Sequence, residues 1–370
     1  MTKDASEALL ERVSQRVRAM HAYKTPPDPL PIKLDANESP WSLPDDVLRE
    51  LGEVTQAIDY ARYPDIAQRA LKSAVARYAG TTEERLVLGV GSDEVFAVLI
   101  AALSKPREKA PVLVVPDPTF VMYAHFAEVY GVKVVHVPLI GPDFALDLGA
   151  MHEAIRMHDA ALVILATPNN PTGTVLHDAD ILTLAQEHPS TFIVVDEAYG
   201  AFRETTHRAS LPRFPNLLFT GTLSKIGIAA LRIGWLEAPP FFVRELDKVR
   251  LPFNVPTPSQ WLGAHLLDKR RDAIEAQVRR IVVGRTALVH GIDACTFLRA
   301  IPSEANFVLA EAPTTEMTQE LVLHLATSGI QVRAFLKGAL TRHLRVTVGK
   351  PTENEALVRA LASFDPDSKI

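Results

Sequence analysis

Three short segments bring together side chains that could do chemistry: ATPNNPTG (166–173), DEAYGAF (196–202) and GTLSKIGIAALRIG (221–234). They supply an amide, a carboxylate and a phenol in Asn170, Asp196 and Tyr199, then two hydroxyls, an amine and a guanidinium in Thr222, Ser224, Lys225 and Arg232. A free lysine has a pKa of about 10.4 and is inert as a nucleophile while charged, so Lys225 becomes reactive only where its surroundings lower that value. Asp196 directly follows the apolar run FIVV, and an isolated carboxylate buried there is costly unless a cation pairs with it. Gly91-Ser92-Asp93 opens a helix-length segment whose first amides form a ready anion site. Each residue also has a plainer alternative. Asp196 could cap a helix above a sheet, Asn170 could hold an Asn-Pro turn, Tyr199 could be packing, and Ser92 could be a helix cap alone.

Other chemistries lack their signatures. GVGSDE (89–94) begins like a dinucleotide fingerprint but ends in Glu, and GTLSK (221–225) lacks the Gly-Lys-Ser/Thr of a phosphate loop. No G-x-S-x-G occurs, and the twelve histidines never take a metal-binding spacing, so no metal is expected. A single cysteine, Cys295, excludes an intrachain disulfide framework and is expected to be a small core residue.

The elements that must position these residues are legible in outline. Apolar, β-branched runs at 112–115, 132–137, 161–166, 192–195 and 217–219 alternate with helix-length segments at 93–103, 120–130 and 178–188. Strands alternating with helices imply a mostly parallel sheet covered on both faces, and such sheets bind ligands at the carboxyl ends of their strands. Beyond about residue 240 the pattern predicts a helix over 241–250, a Pro-rich joint at 251–258 and a long helical stretch over 259–290. Strands near 306–309, 331–333 and 343–348, with helices near 315–328 and 353–363, follow. The expected division is an N-terminal arm (1–30), a large α/β domain (31–250) and a smaller α+β domain (251–370).

Composition bounds the partners. The net charge of −5 gives no cationic field for nucleic acid or anionic lipid, and the densest basic run, Lys269-Arg270-Arg271, reads as a solvated helix face. The longest apolar run, 95–103, has nine residues where a membrane span needs about 20. The first residues mix acids and bases without a signal-peptide core, so a cytoplasmic enzyme is the expectation.

Motifs in register along nearly the whole chain, ANESP, ARYPD, DPTFVMY, NNPTG, DEAY, TLSK and LRVTVG, resemble the fold type I aminotransferases that use pyridoxal 5′-phosphate, most of all the histidinol-phosphate aminotransferase family. The resemblance implies a large domain with a mostly parallel sheet flanked by helices, plus a smaller α+β domain. It makes Lys225 the Schiff-base lysine and Asp196 the partner of the cofactor's ring nitrogen, whose protonation lets the ring act as an electron sink. Asn170 and Tyr199 would donate to the phenolic oxygen, and Phe120 would stack on the ring unless it is simple core packing. Ser92, Asp93, Thr222, Ser224 and Arg232 would hold the phosphate. Tyr63, in RYP, would reach the phosphate in a neighbouring subunit, implying a homodimer with shared sites; otherwise it fixes a Tyr-Pro turn. One feature departs from the family: Lys225 to Arg232 spans seven residues where eight are common, with Gly227 suggesting a tighter turn.

On the substrate side, Arg345 in LRVTVG matches the arginine that holds an acidic group, with a structural ion pair as its alternative role. Arg333 in IQVRAF matches a second arginine used for a phosphate. Histidinol phosphate has no carboxylate, so two arginine forks suit its dianion, and glutamate and 2-oxoglutarate must share the pocket. Tyr23 could cover the substrate or lie on the surface, and Asn37 and Glu38 are expected to line the pocket. The alternatives of the same fold are an aromatic amino-acid aminotransferase and a phospho-amino-acid decarboxylase; a non-catalytic cofactor-binding sensor is more distant.

Overall fold

The structure is a computed structural model that describes residues 7, 9–20, 30–103 and 110–366. Tyr23 lies outside the described residues. Seven strands form the larger sheet: β2 (Leu86–Val90), β3 (Val112–Asp117), β4 (Lys133–Pro138), β5 (Leu162–Ala166), β6 (Phe192–Asp196), β7 (Leu217–Thr222) and β8 (Ile233–Glu237), in the spatial order 2-8-7-6-5-3-4. β8 runs antiparallel to both its neighbours, β2 and β7, so β2 shares the direction of β3 to β7. Alternate residues of the central strands enter two different apolar clusters. Leu113, Ile164, Val194 and Leu218 pack on one face, and Val114, Val163, Ile193 and Leu217 on the other. The period-2 side-chain alternation of a strand, filled with Leu, Ile and Val on both sides, therefore produces a sheet buried between two layers. Each such side chain contributes about 1.5–3 kcal/mol through burial.

The second sheet has the order 1-11-12-10-9, built from β1 (Ile32–Leu34), β9 (Arg299–Ala300), β10 (Phe307–Glu311), β11 (Ile330–Ala334) and β12 (His343–Thr347). β1 lies within the stretch 31–250, yet it pairs in parallel with β11 and so joins the sheet of the C-terminal half. Helices Thr315–Thr327 and Pro351–Ser363 accompany this sheet.

The expected single helical stretch over 259–290 is two helices, Thr257–Lys269 and Arg271–Asp293. The break is at Arg270, which leaves helical geometry (φ −131°). Its guanidinium reaches Asp46 Oδ2 at 2.6 Å and Glu50 Oε1 at 2.5 Å, so the basic run is a tie between helices and not only a solvated face. Cys295 is buried, as its composition suggested, and burial pushes its thiol up. Among the described residues no helix is long and apolar enough to cross a membrane.

Candidate active site

Because β2, β3, β5, β6 and β7 point the same way, their carboxyl ends lie along one edge of the larger sheet. Those ends carry Ser92 and Asp93, Phe120, Asn170, Asp196 with Tyr199, and Thr222 with Ser224 and Lys225. The antiparallel β8 presents its amino end to the same edge, which brings in Arg232. A cavity of about 790 Å³ lies between this edge and the second sheet, which supplies Arg333 and Arg345. Every described residue expected at the site lines that cavity except Tyr63 and Glu38; Glu38 is exposed beside it, its carboxylate 2.6 Å from Lys33 Nζ, and does not line the pocket as expected.

Asp196 ends β6 and is 5% exposed. Tyr123 donates a short hydrogen bond to its Oδ2, while the Thr220 hydroxyl (2.8 Å) and the Ala198 amide (3.0 Å) donate to Oδ1. Burial pushes the carboxyl above the usual carboxylate range, opposed by these donors. The same burial, with Asp196 beside it, holds the Tyr123 phenol well above its ordinary value. Tyr123 packs edge-on against Phe120, ring centres 5.4 Å apart. Sequence reasoning missed Tyr123 and Thr220. Tyr123 stands one helical turn after Phe120, which is a spacing that could have found it.

Lys225 Nζ lies 5.7 Å from the centre of the Tyr199 ring. The turn that follows it leaves helical geometry at Ile226 and at Gly227, where φ is +99° and glycine is needed. Arg232 still reaches the site, donating to Ser224 Oγ at 3.3 Å and to Asp93 Oδ2 at 3.2 Å. Thr222 Oγ1 in turn accepts the Ser224 amide at 3.1 Å. These groups surround the start of helix Gly91–Leu103, whose free amides favour an anion.

Arg345 is 9% exposed and donates from Nη1 to Asn170 Oδ1 at 2.6 Å and from Nη2 to the Asp35 carbonyl at 2.7 Å. With its oxygen occupied by a guanidinium, Asn170 keeps its NH₂ group for donation. Arg333 is paired directly opposite Arg345 across β11 and β12, so both side chains project from one face. Tyr63, by contrast, is 82% exposed, does not line that cavity, and stacks on Phe253 with ring centres 4.9 Å apart.

Residues 30–361 match the family described as aminotransferase class I and II. The histidinol-phosphate aminotransferase of Chromobacterium violaceum is 37% identical over 356 residues, 95% of this chain and 97% of that one. Histidinol-phosphate aminotransferase 1 of Burkholderia mallei is 36% identical over 352 residues, 94% and 97% of the two chains. The solved histidinol-phosphate aminotransferase of Sinorhizobium meliloti, in complex with pyridoxal 5′-phosphate, has the same fold: TM-score 0.84 over 95% of this chain and 96% of that one, at 24% identity.

The cavity fits that cofactor. A carboxylate so buried calls for a cationic partner, which a protonated pyridine nitrogen supplies. At the other end, hydroxyls, helix amides and a guanidinium suit a phosphate dianion. Gly91 (φ +74°) has no side chain where a Cβ would stand 2.6 Å from Arg232 Nη2, leaving the space the guanidinium occupies. On the match over residues 30–361 and the identity with these relatives, the chain belongs to the pyridoxal-phosphate-dependent aminotransferases of class I and II.

Proposed function

We propose that this enzyme transfers the amino group of histidinol phosphate to 2-oxoglutarate, reversibly giving imidazole acetol phosphate and glutamate in histidine biosynthesis. The observation that carries this substrate is the pair Arg333 and Arg345, side by side across β11 and β12 on the wall of the cavity that holds Lys225. Two guanidinium forks match a phosphate dianion, and either can hold a carboxylate when the partner substrate enters. Bound pyridoxal phosphate supplies the electron sink for the carbon that loses its proton. Lys225 is the amine that would hold the cofactor and then carry the proton between substrate and cofactor carbons. Asp196 would keep the ring nitrogen protonated. Tyr199 and Asn170 would donate to the phenolic oxygen, Phe120 would lie against the ring, and Ser92, Asp93, Thr222, Ser224 and Arg232 would hold the phosphate.

The test is a half-reaction. Cofactor-loaded protein mixed with histidinol phosphate should lose its visible absorbance rapidly, and with phenylalanine slowly or not at all. Faster conversion by phenylalanine would assign an aromatic aminotransferase, and carbon dioxide release from a phosphorylated amino acid would assign a decarboxylase. Lys225→Ala should remove both the visible band and turnover; retained turnover would refute the role of that lysine.

We also infer a homodimer in the cytoplasm, with chain division near residues 30 and 250. The dimer reading is supported by the exposed Tyr60, Tyr63 and Leu251 (66, 82 and 67% exposed) on adjoining loops, a concentration of large apolar side chains that a partner would cover.

A further inference from the structure

Asn37 lies outside the set of groups expected to touch the cofactor, yet it is among the most constrained residues at the cavity. It is 2% exposed and holds a left-handed backbone (φ +55°), which costs a non-glycine residue about 1–2 kcal/mol unless its surroundings fix it. Three contacts do so. Its amide donates to Thr347 Oγ1 at 3.0 Å, its carbonyl accepts Asn306 Nδ2 at 3.0 Å, and its side-chain Oδ1 accepts the Thr347 hydroxyl at 3.1 Å. The last contact fixes which end of the amide faces inward. Nδ2 must then be the end that meets Tyr199, and it donates to the phenol oxygen at 2.9 Å.

We propose that Asn37, held by Thr347, is a positioning residue that orients the Tyr199 hydroxyl so that its proton is delivered into the cavity. A phenol oxygen has one proton to give. With Asn37 donating to the oxygen, that proton is left for an acceptor on the cavity side, and the incoming hydrogen bond makes it a stronger donor. Thr347 stands two residues from Arg345 on β12, hence on the same face. The strand that carries the substrate arginine therefore also sets the Tyr199 donor, through Asn37, and the Asn170 donor, through Arg345. This inference rests on the proposed role of Tyr199 at the phenolic oxygen of the cofactor.

The sign of the effect follows from charge. A donor on the phenolic oxygen draws off negative charge that otherwise holds the proton on the Lys225 nitrogen, so weakening the donor raises the pH at which the visible absorbance of the loaded protein titrates. The other charged and titratable groups facing this cavity are left intact by the test: Asp196 from the larger sheet, Tyr123 from the helix Met122–Tyr130, Asp93 and Arg232 at the phosphate end, and Lys33, Asp35, Arg333 and Arg345 from the second sheet and the residue after β1.

The experiment is a spectroscopic pH titration of the cofactor-loaded parent, Asn37→Gly, Thr347→Val, Tyr199→Phe and the Asn37→Gly/Tyr199→Phe double variant. Glycine accepts the left-handed backbone without strain, and valine keeps the strand, so folding is preserved along two independent routes. Asn37→Gly and Thr347→Val should each raise the midpoint by about half a pH unit, less than Tyr199→Phe does. Asn37→Gly should add nothing once Tyr199 is replaced. A midpoint unmoved by Asn37→Gly, or a shift that persists in the Tyr199→Phe background, overturns the positioning role alone. A parent that shows no visible band with the cofactor overturns the reading of Tyr199 and the positioning role together.

Discussion

Arg333 is exposed where Arg345 is buried, and the difference sorts their work. Arg345 is tied to Asn170 and to the Asp35 backbone, so its removal would disturb the cofactor end as well as the substrate end. Arg333 has no such tie among the described residues, which makes it the cleaner probe of phosphate reading. Arg333→Ala should raise KM for histidinol phosphate about 10–100-fold, the loss of a charge-assisted contact of 1.5–3 kcal/mol, with a smaller effect on glutamate. Equal effects in steady-state kinetics on both substrates would remove its phosphate-specific role. Glu197, next to Asp196 and 9% exposed, offers a second test at this scale. Burial raises its carboxyl from 4.5 to about 7, opposed by Arg208 and by the His207 amide that donates to it at 2.6 Å. Between those values the folded chain binds the extra proton. The stability from this group is therefore complete below pH 4.5 and is lost as pH rises through 7. Glu197→Gln stays neutral, so the variant should gain on the parent between pH 5 and pH 8, by about 2–3 kcal/mol. Urea unfolding across that range measures the difference; a gap that does not change with pH would mean that Glu197 does not titrate there.

At the scale of elements, the site is where five parallel strands end and one antiparallel strand begins. The sequence pattern makes β3, β5, β6 and β7 legible because their interiors are continuous apolar runs, and it places Asp196 and Lys225 at the carboxyl ends of two of them; β2 (Leu86–Val90) is missing from those expectations. β8 escaped because IGWLE overlaps the end of the GTLSKIGIAALRIG segment without a turn signal, and its pairing with β2 and β7 is what defines it. β1 is three residues long, too short for periodicity, and only its pairing with β11 defines it. The donor Thr220 was equally hidden, since it is set by which strand lies beside β6; Tyr123, on the helix Met122–Tyr130, was open only to its spacing from Phe120. β8 also explains a glycine. A Cβ on Gly234 would stand 2.3 Å from the Ser92 amide nitrogen and 2.4 Å from the Gly91 carbonyl carbon, and backbone cannot yield as a flexible side chain does. Gly234→Ala should therefore push β8 from the start of helix Gly91–Leu103, costing about 1–3 kcal/mol and weakening cofactor binding as read by spectral titration. Gly52, with nothing within 4 Å of its would-be Cβ in helix Asp45–Gln56, is the control. Gly52→Ala should stabilise by about 0.5–1 kcal/mol and leave cofactor affinity alone.

At the scale of the whole molecule, Tyr63 tests whether each site is built from one chain or from two. The loop that bears it is tied to the chain's own body by the Tyr63–Phe253 stack, by the Gln68–Asn254 hydrogen bond at 2.7 Å and by Gln260 donating to the Asp65 carbonyl at 3.1 Å. It is thus presented outward on a fixed base, with the ring 82% exposed and outside the cavity of its own subunit. If a twofold partner brings this surface to the neighbouring phosphate end, each site is assembled from two chains, and defects in different chains can complement. Lys225→Ala chains supply an intact Tyr63 and Tyr63→Ala chains an intact Lys225, so in a mixed dimer one of the two sites is whole and the other carries both defects. Random reassortment of equal amounts makes about half of all dimers mixed, so activity should recover to about a quarter of the parent's. Were Tyr63 to serve its own subunit, no mixed dimer would contain a whole site, and the mixture would show only the average of the two variants. Sedimentation of the parent gives the oligomeric state independently, and a monomer at assay concentration would exclude the shared site.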